Sequence, residues 1–174
     1  MTSTNLNLAH GYEKPSPIQE KVLLPILKGK DVIGQSQSGT GKTASYAIST
    51  LQMIDEQIPD CQALVLVPTR ELARNIECLI KSIAQFSKIS VLTCIGGTNI
   101  KEGIEKLQEG AHIVVGTPGR VLDMQHRGAF RVEKLKLIVV DDADELMSLG
   151  FQEQIMGIFQ AVPSDIQVEP LLIY

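Results

Sequence analysis

The chain has 174 residues, 44% of them hydrophobic and 21% charged. That suits one compact domain able to bury its own core without disulfide or metal staples. Twenty acidic against sixteen basic residues leave a formal net charge of −4, which excludes a basic coat that grips nucleic acid by charge alone.

Short apolar, β-branched runs alternate with longer segments of helical spacing. The first run, 31–34 (DVIG), leads into a Gly-rich turn, and residues 42–57 then place Ala44, Ala47, Ile48, Leu51 and Ile54 on one helical stripe. The run 63–67 (ALVLV) is bounded by Pro68. Residues 70–86 follow as a helix carrying Leu72, Ile76, Leu79, Ile80 and Ile83. The run 90–95 (SVLTCI) ends at Gly96 and Gly97, and a short helix is expected over 100–108. The run 112–115 (HIVV) ends at Gly116 before a helix over 119–126. The run 137–140 (LIVV) ends at Asp141 before a helix over 145–159. Runs apolar on both faces suit the interior of a parallel sheet, and the alternation predicts an α/β fold with helices on both sheet faces. In such sheets ligands bind beyond the carboxyl ends of the strands. The informative residues therefore lie just after each apolar run.

After the first run comes SQSGTGKT, residues 36–43. A Gly-rich loop between a strand and a helix is the context of a phosphate-binding loop. Gly39 and Gly41 let the backbone fold tightly, so that N–H groups from Ser36, Gln37, Ser38, Thr40 and their neighbours aim at phosphate oxygens. In such a loop Lys42 can reach the β- and γ-phosphates as a point charge, and the Thr43 hydroxyl can ligate Mg²⁺. The general pattern has Gly where this chain has Ser36. At the end of the 137–140 run stands DDAD, residues 141–144. An acidic residue at a strand end beside a phosphate loop is the arrangement that holds Mg²⁺; the same cluster also suits a solvated helix start.

The remaining strand ends carry PTRELA (68–73), GG (96–97) and TPGR (117–120), with GYEKPSPIQ (11–19) upstream. In this order the segments resemble the DEAD-box RNA helicases of superfamily 2, and the phrases GKDVIGQSQSGTGKTASYAIS and GFQEQIMGIFQ resemble the initiation factor 4A branch of translation. The resemblance runs from about residue 8 to 167. It implies a RecA-like domain with a Q motif at 11–19, motif I at 36–43, motif Ia at 68–73, motif Ib at 117–120 and motif II at 141–144. It implies ATP and Mg²⁺ as cofactors. Gln19 would read the adenine edge, its amide offering one donor and one acceptor, and Tyr12 would pack on the ring. Asp141 would hold Mg²⁺, mainly through water, and Asp144 would link motif II to its neighbours. Thr69, Arg70, Gly97, Thr98, Thr117 and Arg120 match or adjoin positions that touch the RNA sugar-phosphate backbone without reading sequence. Hydroxyls and backbone groups dominate that set, which reconciles RNA binding with a charge of −4.

Three departures from the family pattern stand out. The family box is Asp-Glu-Ala-Asp, and its second residue here is Asp142. The resemblance makes that Glu the base that orients and deprotonates the attacking water, so Asp142 is expected to leave binding intact and to weaken hydrolysis. No Ser-Ala-Thr motif follows 167–174 (QVEPLLIY), and the second helicase lobe, with its arginine fingers, is not in this sequence. Only ten residues precede Gly11, and none is aromatic. Pro170 is expected to push the last strand to an edge or an irregular path.

The function implied is the ATP-binding lobe of an ATP-dependent RNA helicase, an ATP hydrolase; the alternative is a truncated or degenerate relative that binds nucleotide or partners without productive unwinding. Another P-loop enzyme, such as a kinase or GTPase, is disfavoured: the NKxD base-reading motif usual in GTPases is not found, and Gln19 argues for adenine. A monomer is expected, with possible protein partners of a helicase core. No apolar run approaches the roughly 18 residues of a membrane helix, and no basic-then-apolar leader opens the chain. An intracellular location, cytoplasmic or nuclear, is expected. Cys61, Cys78 and Cys94 have neither zinc-site nor CxxC spacing. They are expected to be small buried hydrophobes, with no disulfide.

Overall fold

The computed structural model describes residues 14–37, 39–162 and 166–172. The elements run α1 (Pro17–Leu27), β1 (Gly34–Gln35), α2 (Lys42–Met53), β2 (Ala63–Leu66), α3 (Arg70–Ile83), β3 (Val91–Cys94), α4 (Ile100–Gln108), β4 (Ile113–Gly116), α5 (Pro118–His126), β5 (Leu137–Val140), α6 (Ala143–Ser148), α7 (Gln152–Gln160) and β6 (Gln167–Leu172). The six strands form one sheet in the order β1-β6-β5-β2-β4-β3, and every pairing is parallel.

The runs 63–66, 113–116 and 137–140 are buried at every position, because successive side chains enter opposite layers. Ala63, Val65, Leu137 and Val139 face a layer containing Tyr46 and Ala47 of α2 and Ala73, Ile76, Ile80 and Ile83 of α3. Leu64, Leu66, Ile138 and Val140 face the other layer, with Val121 and Met124 of α5, Leu146 of α6 and Ile155 and Ile158 of α7. Sheet and two helical layers thus leave one sheet end, the carboxyl end, as the common meeting place of β1, β2, β3, β4 and β5.

Several expectations change. The last strand is not an edge: β6 lies between β1 and β5. It pairs with β5 over 167–170 and with β1 over 171–172. Pro170 falls where one pairing ends and the next begins, so its missing N–H sits at the changeover and not in mid-ladder. The expected helix over 145–159 is two helices, divided at Gly150, whose φ is +78°, a conformation that ends α-helices. The helix expected over 42–57 stops at Met53, and the first strand is Gly34–Gln35 rather than 31–34. Cys61 and Cys94 are buried free thiols, but Cys78 is exposed on α3 and is no core residue.

Helix α1 was legible but passed over. Ser16 accepts from the Gln19 backbone N–H at 3.4 Å, and the Gln19 side chain accepts from the Ser16 N–H at 2.8 Å. With Pro17 in the first turn, S-P-I-Q is a capping box and a helix start.

Candidate nucleotide and nucleic-acid site

The loop 36–43 crosses from β1 to α2 at the carboxyl end of the sheet. Gly41 caps α2 at φ +98°, a left-handed conformation that a side chain resists. Any Cβ there would also stand 2.6 Å from Gln19 Nε2. Lys42 opens α2 and is buried. Its ammonium donates to the carbonyl oxygens of Ser36 and of Gln37, the latter at 3.2 Å. Its charge is therefore held over the loop by the loop itself. The Ser36 hydroxyl, where the general pattern has Gly, lies 2.6 Å from Thr40 Oγ1, and Thr40 donates to the Gln37 carbonyl at 2.7 Å. Ser36 so braces the loop from inside. Thr43 follows, half-buried, in the first turn of α2. Ser38 and Tyr12 lie outside the described residues.

Gln19 is buried beside this loop. Its Nε2 donates to the Gly41 carbonyl at 3.4 Å, while its Oε1 serves the capping box. A primary amide has two N–H groups and two oxygen lone pairs, so one donor and one acceptor are left over.

The strand β5 delivers Asp141 to the same end of the sheet, with β6 between β5 and the β1 that leads into the loop. Asp141 is buried and accepts at both oxygens. Oδ2 takes the Tyr46 hydroxyl at 2.8 Å, and Oδ1 takes the Asp142 backbone N–H at 3.1 Å. Burial pushes the Asp141 carboxyl up; the Tyr46 and Asp142 bonds and the Lys42 charge act against it. Asp142 caps α6 at φ +53° and is the one non-glycine residue with positive φ among those described. Its carboxyl is pushed up to about 6, first by burial and then by the charges of Asp141, Glu145 and Asp144, with Lys42 opposing. Asp144 is exposed in the first turn of α6.

Could these residues take a nucleotide and its metal? Among the described residues no cluster of three His, Cys, Asp or Glu could hold a metal by itself. Mg²⁺ suits such a place. It is commonly held by one or two carboxylates, with water and substrate phosphates completing the octahedron. A buried carboxylate with free lone pairs, a helix-start hydroxyl and a loop of backbone donors fit Mg²⁺ with a triphosphate.

A second surface lies beside the first. Arg70, the first residue of α3, spreads its guanidinium over the turn at Gly96 and Gly97. A Cβ on Gly97, whose φ is +82°, would come 2.7 Å from Arg70 Nη1. Thr69 caps α3, its hydroxyl accepting from the Leu72 N–H at 3.2 Å. The Thr98 hydroxyl donates to the Ile95 carbonyl at 2.9 Å. Both terminal nitrogens of Arg120 approach the Thr98 carbonyl at 3.4 Å. The Thr117 N–H donates to the Cys94 carbonyl at 3.2 Å. A groove of about 370 Å³ is lined by Pro68, Arg70, Gly96, Thr117, Gly119 and Arg120, and also by Asp123 and Phe151. Of the six expected backbone-contacting residues, Arg70, Thr117 and Arg120 line this groove, Gly97 lies under Arg70 and Thr98 meets Arg120, and Thr69 caps α3.

Sequence reasoning missed Tyr46, Asp123 and Phe151. Tyr46 stands three residues after Thr43, one helical turn along the same face; that spacing was the available signal. Burial first, and then the charge of Asp141, raise its hydroxyl well above the ordinary tyrosine range. Asp123 and Phe151 follow no strand end and carried no signal.

A parallel α/β sheet with a glycine loop at one strand end and a magnesium-suited acid at another defines a P-loop nucleotide-binding domain. Comparison with known proteins gives the class within it. The DEAD/DEAH box helicase family model matches residues 16–172. The chain is 53% identical over 160 residues to the ATP-dependent RNA helicase eIF4A of Neosartorya fischeri, covering 92% of this chain and 40% of that protein. It is 50% identical over 159 residues to eukaryotic initiation factor 4A of Drosophila melanogaster, covering 91% and 40%. A DEAD box protein from Methanococcus jannaschii superposes with a TM-score of 0.93 at 34% identity, over 98% of this chain and 47% of that one. S. cerevisiae Dbp5 bound to RNA and ADP BeF3 superposes with a TM-score of 0.86 at 33% identity, over 96% and 42%. This chain belongs to the DEAD/DEAH box helicases, and its fold is the RecA-like domain of that family. It spans about 40% of the length of the curated relatives it matches. No helix among the described residues is long and apolar enough to cross a membrane.

Proposed function

We propose that this chain is the ATP-binding lobe of an ATP-dependent RNA helicase of the initiation factor 4A type. The observation that carries the reading is the meeting of two strand ends. The phosphate loop after β1 and the acid after β5 are tied to one helix, α2, by Lys42 and by the Tyr46–Asp141 bond. In this reading the 36–43 amides and Lys42 bind the phosphates, and Thr43 and Asp141 hold Mg²⁺. Gln19 offers its spare donor and acceptor to adenine, with Tyr12 as the ring-packing aromatic. Magnesium, when bound, supplies positive charge against the phosphate oxygens. Asp142 is the residue placed by its motif to orient and deprotonate water. Thr69, Arg70, Gly97, Thr98, Thr117 and Arg120 line the path of an RNA backbone, and Asp144 links motif II to neighbouring segments. Only two of those six are charged, so the grip depends on positioned contacts and RNA binding at this surface is independent of sequence.

One observation favours a second reading, a lobe that binds nucleotide with weakened turnover. The base position holds the shorter Asp142, and its backbone is already in the left-handed region.

The test is displacement of a fluorescent ATP analogue from the 174-residue chain with Mg²⁺ present. ATP and ADP are expected to compete and GTP to compete at least tenfold less well. Lys42→Ala is expected to weaken binding at least tenfold, because it removes the one side-chain cation in the loop. Equal competition by GTP, or unchanged binding by the Lys42 variant, contradicts the proposal.

A further inference from the structure

The phenol of Tyr46 is fully buried among apolar side chains of the α2–α3 layer. A buried phenol needs a partner, and most find a main-chain carbonyl or another neutral group. This one donates to a carboxylate, Asp141 Oδ2, at 2.8 Å. The Thr43 side chain lies near enough to this hydroxyl to act against the burial that raises it. Thr43 and Tyr46 are one turn apart on α2, so the phenol ties the helix that carries the helix-start hydroxyl to the strand-end carboxylate. These are the two protein groups that the proposed function gives to Mg²⁺.

The consequence is geometric. Asp141 is pinned at both oxygens, by Tyr46 at Oδ2 and by the Asp142 N–H at Oδ1. A carboxylate offers about four lone-pair positions. Two remain, and their directions are set by the two bonds. Without the phenol, Oδ2 loses this donor and the side chain can turn about its Cα–Cβ bond.

We propose that Tyr46 is a positioning residue for the metal: it ties Asp141 to α2, the helix that carries Thr43, and holds the carboxylate in the arrangement that receives Mg²⁺ with bound nucleotide. This rests on the proposed function and deepens it. Tyr46 is fully buried and acts through Asp141. Outer hydrogen-bond partners of metal-holding groups are typically worth about 10–100-fold in metal affinity. Mg²⁺ here is held partly by phosphate and water, which points to the low end.

The experiment is a Mg²⁺ titration of fluorescent ATP-analogue binding by the parent chain and by Tyr46→Phe, with a parallel titration in EDTA. The variant is expected to need about tenfold more Mg²⁺ for half-maximal enhancement of binding, with metal-free affinity unchanged. A purely structural role would shift the melting temperature and leave the Mg²⁺ midpoint where it was; that outcome overturns the proposal. If the parent itself shows no nucleotide binding, the proposed function fails first, and the two failures are thereby told apart. Should the variant not fold, the parent labelled with 3-fluorotyrosine gives a second measurement. Of its three tyrosines, Tyr46 is expected to shift its ¹⁹F resonance when Mg²⁺ is added to the ATP complex. A Tyr46 resonance that ignores Mg²⁺ overturns the proposal equally.

Discussion

Asp142→Glu is the sharpest test of the hydrolytic role proposed for Asp142. The substitution adds one methylene and so moves the carboxylate outward by roughly 1.5 Å. A general base acts only within about 2.6–3.2 Å of the proton it removes, and its loss commonly costs about 10²–10⁴ in rate. At 1.36 kcal/mol per tenfold, that range corresponds to about 2.7–5.4 kcal/mol of barrier. The backbone sets an opposing effect. Asp142 sits at φ +53° and ψ +49°, where Asp is better tolerated than a longer side chain. The strain of a left-handed Glu is about 1 kcal/mol, and it falls on folding stability rather than on the chemical step. The expected outcome is therefore threefold: unchanged ATP affinity, a melting point a few degrees lower, and ATP cleavage at least 100-fold faster. The assay is single-turnover cleavage at saturating ATP and RNA, with the second helicase lobe of an initiation factor 4A relative supplied. A cleavage rate within twofold of the parent's, with ATP still bound, would refute the distance argument.

Two further outcomes follow from the same site. Asp142→Asn removes a carboxyl whose folded value, about 6, lies above its ordinary 3.8. The raised value means the acid form contributes stability below about pH 3.8 that is lost as pH rises through about 6. In EDTA, the variant is expected to match the parent near pH 4 and to exceed it above pH 6.5. After discounting for the solvent exposure of Asp142, the gain is on the order of 1 kcal/mol; a difference that is flat across this range in denaturant melts would contradict the assignment. Gly41→Ala places a methyl 2.6 Å from the Gln19 amide at φ +98°. It is expected to cost about 1–2 kcal/mol in urea unfolding and to weaken nucleotide binding, whereas Gly39→Ala, with open space around it, incurs the strain alone.

Much of this protein was legible in the order of its residues. Runs such as 63–66 and 137–140, apolar on both faces, have no stable place outside a doubly covered parallel sheet, so the α/β class followed from periodicity. Residues 36–43 and 141–144 were readable because phosphate and magnesium chemistry demands particular side chains next to strand ends. Ser16 and Gln19 even encode a helix start that motif reading overlooked. What remained closed to the sequence depended on distances between separate segments. Pro170 argues locally for an edge, yet β6 is central, because its two neighbours pair with different halves of the strand. Tyr46 and Asp141 are 95 positions apart. Only the packing of α2 against the sheet brings a core phenol to a strand-end carboxylate. Residue order alone nominated the residues proposed to carry the chemistry, since composition and spacing are local properties. The tertiary structure alone decided which of those residues hold one another in place, since a hydrogen bond across 95 positions exists only once the chain has folded.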